Sequence, residues 1–161
     1  MTRRPSPDAP ATGRCRCGRI VFEVAKPPLI TMACHCTGCQ RMTASAFSLS
    51  AAIPAEGFRV MEGEPAIGGL HGELEHFCCS RCMSWLFTRI PAAQSMINVR
   101  SPMLEGADWK EPFVETWTSE KLPWATTPAR HSFPGFPPQE AWPRMIAEFQ
   151  AEFAGGASAK S

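Results

Sequence analysis

The chain lacks any apolar run near the roughly 18 residues of a membrane-crossing helix, so no membrane span is expected. It also lacks net charge: Lys+Arg 16 against Asp+Glu 15 leaves +1, which argues against nucleic-acid binding through bulk charge. Charged residues are only 19% and hydrophobic ones 44% of the 161, so a core is within reach and wholesale disorder is excluded. Arg3 and Arg4 stand near the start, but no apolar stretch follows them. No secretory or twin-arginine signal is read there, and the expected compartment is the reducing cytosol. Internal repeats and low-complexity tracts are missing as well. The length suits one domain with tails.

Proline, by contrast, is abundant: 16 residues, about twice the usual share of roughly 5%, which favours strands and turns over long helices. The 8 cysteines are more telling. Seven fall into three tight groups: Cys15 and Cys17 as C-x-C, Cys34, Cys36 and Cys39 as C-x-C-x-x-C, and Cys79 and Cys82 as C-x-x-C. In a reducing compartment such spacing favours metal over disulfides, and a C-x-C disulfide would close a small, strained ring. A structural zinc takes four protein ligands, while a catalytic zinc takes three and keeps one position open. Cys15, Cys17, Cys79 and Cys82 make a closed set of four. Cys34, Cys36 and Cys39 make an open set of three. Thiolates select zinc or iron over magnesium or calcium. In a competing partition, His35 or His76 completes the three-cysteine set. Cys78 alternates to the other strand face and is read as a small buried hydrophobe.

Residues 1–12, with three prolines, are expected to be a disordered arm, 13–153 a single zinc-binding β domain, and 154–161 a flexible tail. Alternation or extended character marks strands at Arg19–Val24, Leu29–Ala33, Phe47–Ile53, Phe58–Met61, Leu70–Phe77 with a turn near Gly72, Ser84–Thr88, Met96–Arg100 and Phe113–Trp117. Gln40–Met42 offers a short helical turn. Trp142, Met145, Ile146, Phe149 and Phe153 fall on one helical stripe, and Pro143 is tolerated only in the first turn. The fold class expected is mainly β and antiparallel, with one C-terminal amphipathic helix.

Gly13-Arg-Cys15-Arg-Cys17-Gly18, then Cys34-His-Cys36-Thr-Gly-Cys39-Gln40-Arg41, then Phe77 ahead of Cys79-Ser-Arg-Cys82 resembles the glutathione-dependent formaldehyde-activating enzyme family, which includes the centromere protein V type of domain. The segment Trp109–Trp124 is similar to an uncharacterised bacterial branch of it. The resemblance implies a zinc-ribbon-like β-tent with two zinc ions per chain. It implies a structural site at Cys15, Cys17, Cys79 and Cys82, and a catalytic site at Cys34, Cys36 and Cys39. The implied activity is that of a carbon–sulfur lyase joining glutathione and formaldehyde into S-hydroxymethylglutathione, or the reverse. Two positions depart from the family pattern. Met83 stands where glycine usually follows the last ligand, and Ala44 stands inside what is usually Thr-Gly-Ser.

An open three-thiolate zinc suits a thiol substrate, because the ion lowers the thiol pKa. A glutathione carboxylate needs a cation near this loop. Arg41 is nearest in sequence, with Arg100, Lys121 and Arg130 as further candidates. Glu115, Glu120 and His131 are the candidate general bases. Two rival readings remain: a non-enzymatic zinc-stabilised interaction module, and a thiol redox protein using Cys79 and Cys82.

Overall fold

The computed structural model describes residues 4–68, 73–107 and 109–155. In chain order they form β1 (Ala11–Arg14), β2 (Val21–Val24), β3 (Ile30–Cys34), α1 (Thr37–Thr43), β4 (Ser48–Pro54), β5 (Phe58–Glu62), β6 (Ala66–Gly68), β7 (Glu75–Cys78), β8 (Trp85–Arg89), β9 (Met96–Val99), β10 (Val114–Thr116), β11 (His131–Ser132) and α2 (Trp142–Gly155). Strands predominate and most pair antiparallel, as expected. The chain divides into two compact units interleaved in sequence. Residues 4–28 and 51–107 build the first unit, and residues 29–50 and 109–155 the second.

In the first unit, β1, β2 and β5 form an antiparallel sheet with β2 in the middle. The alternation read from sequence holds: Ile20, Phe22 and Val24 are buried. Gly13 lies opposite Phe22, and a Cβ there would overlap the Phe22 ring. β1 itself was not expected, and it starts inside the segment read as a disordered arm. Ahead of it, Ser6 and Ala9 form an isolated bridge. A second antiparallel ladder runs from residues 51–54 of β4 through β9, β8 and β7 to β6. Trp85, Leu86, Phe87 and Thr88 are all buried, so β8 is covered on both faces. Phe58 and Phe77 each lie 4.7 Å from Phe87, centroid to centroid. The turn expected near Gly72 lies outside the described residues.

In the second unit, β3 pairs with β10, and β10 with β11, both in parallel. These two parallel pairings are the exceptions in a mostly antiparallel set of strands. Parallel neighbours need a crossover of a dozen or more residues, and the chain between β3 and β10 is long enough to supply one. α2 starts at Trp142 with Pro143 in its first turn, where the missing N–H costs nothing. Its stripe faces inward: Met145 and Phe149 are buried, and Phe149 meets Phe113 edge to face at 5.5 Å. Gln150 Nε2 donates to the Leu29 carbonyl at 3.0 Å. α2 ends at Gly155, and most of the expected tail lies outside the described residues.

Candidate metal centres

All eight cysteines are free thiols, and seven collect into two clusters, one in each unit. Within each cluster the sulfurs lie within 4.8 Å of one another.

The first cluster holds Cys15, Cys17, Cys79 and Cys82 on two tight turns. The Cys15 turn closes with Gly18 N–H donating to Cys15 O at 3.0 Å, and Cys15 N–H to Ile20 O at 3.1 Å. The Ile20 N–H donates to Cys15 Sγ at 3.3 Å. The Cys79 turn closes likewise, with Met83 N–H donating to Cys79 O at 2.9 Å and Cys79 N–H to Ser84 O at 3.0 Å. Ser84 Oγ joins the turns: it accepts from Arg16 N–H at 3.1 Å and lies 3.2 Å from Cys82 Sγ. Cys17 Sγ is 3.5 Å from Cys15 Sγ and 3.8 Å from Cys79 Sγ. Sulfurs at the zinc bond length of about 2.3 Å form a tetrahedron with edges of about 3.8 Å, so the four thiols fit a zinc ion.

The second cluster holds Cys34, Cys36 and Cys39. Cys34 ends β3. Cys36 is the N-cap of α1, and its sulfur accepts from Cys39 N–H at 3.4 Å. Cys39 sits in the first turn of α1, with Thr43 Oγ1 donating to its carbonyl at 2.8 Å. A hydrogen bond from Cys39 pulls the Cys34 thiol down to about 5 against its burial, helped by the Cys36 backbone and Thr116. The same contact, together with burial, pushes Cys39 up. Three soft donors suit a zinc ion with one position left over.

Both departures from the family pattern fall on left-handed backbone. Met83 has φ 58° and Ala44, the C-cap of α1, has φ 48°. The left-handed region costs a residue with a Cβ roughly 1–2 kcal/mol, and glycine nothing. The Met83 side chain is 72% exposed and gives little burial in return. After glycine's larger unfolded-state entropy is subtracted, Met83→Gly and Ala44→Gly should each stabilise by about 0.5–1 kcal/mol. Denaturant titration of the metal-loaded chain checks this, and an unchanged or lower midpoint for both would refute the strain argument.

Neither histidine joins the sulfurs. His35 is fully buried, with Nε2 on Glu115 Oε2 at 3.1 Å. His76 Nδ1 lies 2.8 Å from Thr88 Oγ1. Cys78 stands outside both clusters; it is half-buried, and burial pushes its thiol up. Arg41 lies exposed in the last turn of α1. The other candidate cations have structural partners. Lys121 pairs with Glu115 at 2.8 Å and Arg130 with Glu152 at 3.1 Å. Arg100 is buried, 3.9 Å over the Trp85 ring.

The candidate bases are engaged too. Burial raises Glu115, but hydrogen bonds from Lys121, Ser132, Thr127 and His35 outweigh it and hold the carboxyl at about 2. Such a weak base takes no proton at neutral pH. Glu120 accepts from both the N–H and the hydroxyl of Thr37, which lowers its pKa. His131 Nε2 lies 2.6 Å from Glu148 Oε2. Gln40, not singled out from sequence, donates from Nε2 to His35 O at 2.6 Å and to Glu120 O at 2.9 Å. Its place beside Cys39 was the only signal.

None of the curated proteins matches the chain. A crystal structure of a Rhodobacter sphaeroides protein is similar in fold at 21% identity, with a TM-score of 0.51, over 61% of this chain and 91% of that one. The family model described as "Glutathione-dependent formaldehyde-activating enzyme" matches residues 10–120, more than half of the chain. That stretch carries all seven clustered cysteines, and by this match the chain belongs to the glutathione-dependent formaldehyde-activating enzyme family.

Proposed function

We propose that this protein is a zinc-dependent carbon–sulfur lyase-type enzyme of the reducing cytosol. It acts on a thiol–aldehyde adduct such as S-hydroxymethylglutathione and carries two zinc ions per chain. The observation that supports this reading is the unequal thiol count: four sulfurs in one cluster, three in the other. Cys15, Cys17, Cys79 and Cys82 hold a closed structural ion. Cys34, Cys36 and Cys39 hold the ion at the reacting centre. When bound there, zinc supplies Lewis acidity and one exchangeable position for a substrate thiolate or oxygen.

In the synthetic direction a carbon–sulfur bond forms between the thiol sulfur and the aldehyde carbon, and the thiol proton ends on the former carbonyl oxygen. The reverse reaction restores thiol and aldehyde. Arg41, exposed on α1, offers the cation for a glutathione carboxylate. Glu115 stays ionised and paired throughout, so it anchors structure and does not relay the proton.

The test measures S-hydroxymethylglutathione exchange by NMR with zinc-loaded protein. Parent protein should accelerate exchange over background and Cys36→Ser should abolish the acceleration. Arg41→Ala should raise KM for glutathione several-fold, with a smaller effect for a thiol without carboxylates. Parent protein that holds both ions yet leaves the exchange of several thiol–aldehyde pairs at background would replace the enzyme with a zinc-stabilised interaction module.

A further inference from the structure

The residue between two of the sulfurs is held through its N–H, its carbonyl and its side chain. The His35 N–H donates to Thr116 O at 3.0 Å, the first residue coming from β3's end and the second from β10. Its carbonyl accepts from Gln40 Nε2 at 2.6 Å, from α1. Its side chain is fully buried, edge-on to Phe47 at 5.2 Å between centroids. The Glu115 carboxylate is ionised and can only accept, so His35 Nε2 carries the proton and donates to it at 3.1 Å. Glu115 is itself fixed by Lys121, Thr127 and Ser132.

As a core residue His35 is a poor choice. Its Nδ1 is buried without a hydrogen-bond partner, which is costly, and an aliphatic side chain of similar size would avoid that cost. Stability alone therefore gives no reason for an imidazole here. A reason does come from the neighbouring sulfurs. A centre with three protein ligands has no fourth to enforce its geometry, so its affinity depends on how well the three are placed in advance.

We propose that His35 is a positioning residue for the three-cysteine centre, clamped by Glu115 on one side and Gln40 on the other so that Cys34 and Cys36 are preset for a metal ion. The inference rests on reading that centre as a metal site. Loss of such an outer partner typically weakens metal affinity about 10–100-fold.

The experiment uses the full chain loaded with zinc or cobalt. Chelator competition measures each ion's affinity, the cobalt–thiolate charge-transfer band reports the sulfur geometry, and melting reports the fold. His35→Leu should release the ion of Cys34, Cys36 and Cys39 about 10–100-fold more readily. It should also shift the cobalt band while melting within a few degrees of the parent. His35→Gln, whose amide can still donate to Glu115, should restore most of the affinity. Ser132→Ala, which removes a different donor to Glu115, should lower melting without changing the affinity. If His35→Leu fails to fold, Gln40→Leu removes the clamp from the helix side and should show the same loss. Equal affinity in parent and both clamp variants would overturn the proposal. So would a loss in Ser132→Ala as large as in His35→Leu. A parent that binds only the ion of Cys15, Cys17, Cys79 and Cys82 would overturn the metal reading of the second centre and this inference with it.

Discussion

Cys82→Ser should melt roughly 10–20 °C below the parent or fail to fold, whereas Cys36→Ser should melt within about 5 °C of it. The difference follows from what each centre joins. Cys17 and Cys79, in one cluster, are 62 positions apart in sequence. An ion held there clips two distant turns together, and its binding free energy becomes folding free energy; closed thiolate sites in small domains contribute on the order of 10 kcal/mol or more. The three sulfurs of the other centre lie on one continuous stretch, from the end of β3 into α1, so an ion there closes no long loop. Thermal melting and metal analysis of both variants check the expectation. Equal melting of the two would refute separate structural and open roles.

Acid should destabilise the protein through Glu115, and Glu115→Gln should flatten that dependence. The folded pKa, about 2, lies below the ordinary carboxyl value of 4.5. A depressed folded pKa stabilises above the unfolded value and loses that stabilisation as pH falls from about 4.5 toward 2. The side chain is only 9% exposed, so solvent screening is slight, and the lost stability amounts to roughly 3 kcal/mol. At neutral pH, Glu115→Leu should cost a similar amount, about 3–5 kcal/mol, because Lys121 is left without its partner. The measurement is the unfolding free energy against pH, taken as a difference between parent and Glu115→Gln so that any acid loss of metal common to both cancels. A difference that stays flat from pH 5 to pH 2.5 would show that Glu115 is not depressed.

What could be read from the sequence was what is local. The cysteine turns close within a few residues, so each thiol group was legible from its spacing; joining the Cys15 and Cys79 turns into one set rested on coordination number, with His35 or His76 left open as ligands of the other. β2, β4, β5, β8 and β9 follow from alternation or apolar runs bounded by proline or glycine. β1 was missed because Ala11-Thr12-Gly13-Arg14 has no apolar face of its own; it exists by pairing with β2. β6 and β11 span three and two residues and are defined only by their neighbours. The parallel pairing of Thr116 with Cys34 joins residues far apart in the chain, and no periodicity encodes it. The His35–Glu115 contact spans 80 positions, so Glu115 looked from sequence like a free carboxylate and a candidate base. Structure gave it four donors instead.

The interleaving of the two units has a bearing on synthesis. Neither unit is a contiguous stretch, so no single cut of the chain isolates one intact. When residue 107 has left the ribosome, every strand of the first unit has been made, and the turns carrying Cys15, Cys17, Cys79 and Cys82 can meet. At that moment residues 29–50 have emerged with their three cysteines, but β10, Glu115 and α2 have not. The nascent chain thus offers cellular metal two competing thiol sets at unequal stages of completion. Translation completes the unit around the four-cysteine set before the unit around the three-cysteine set.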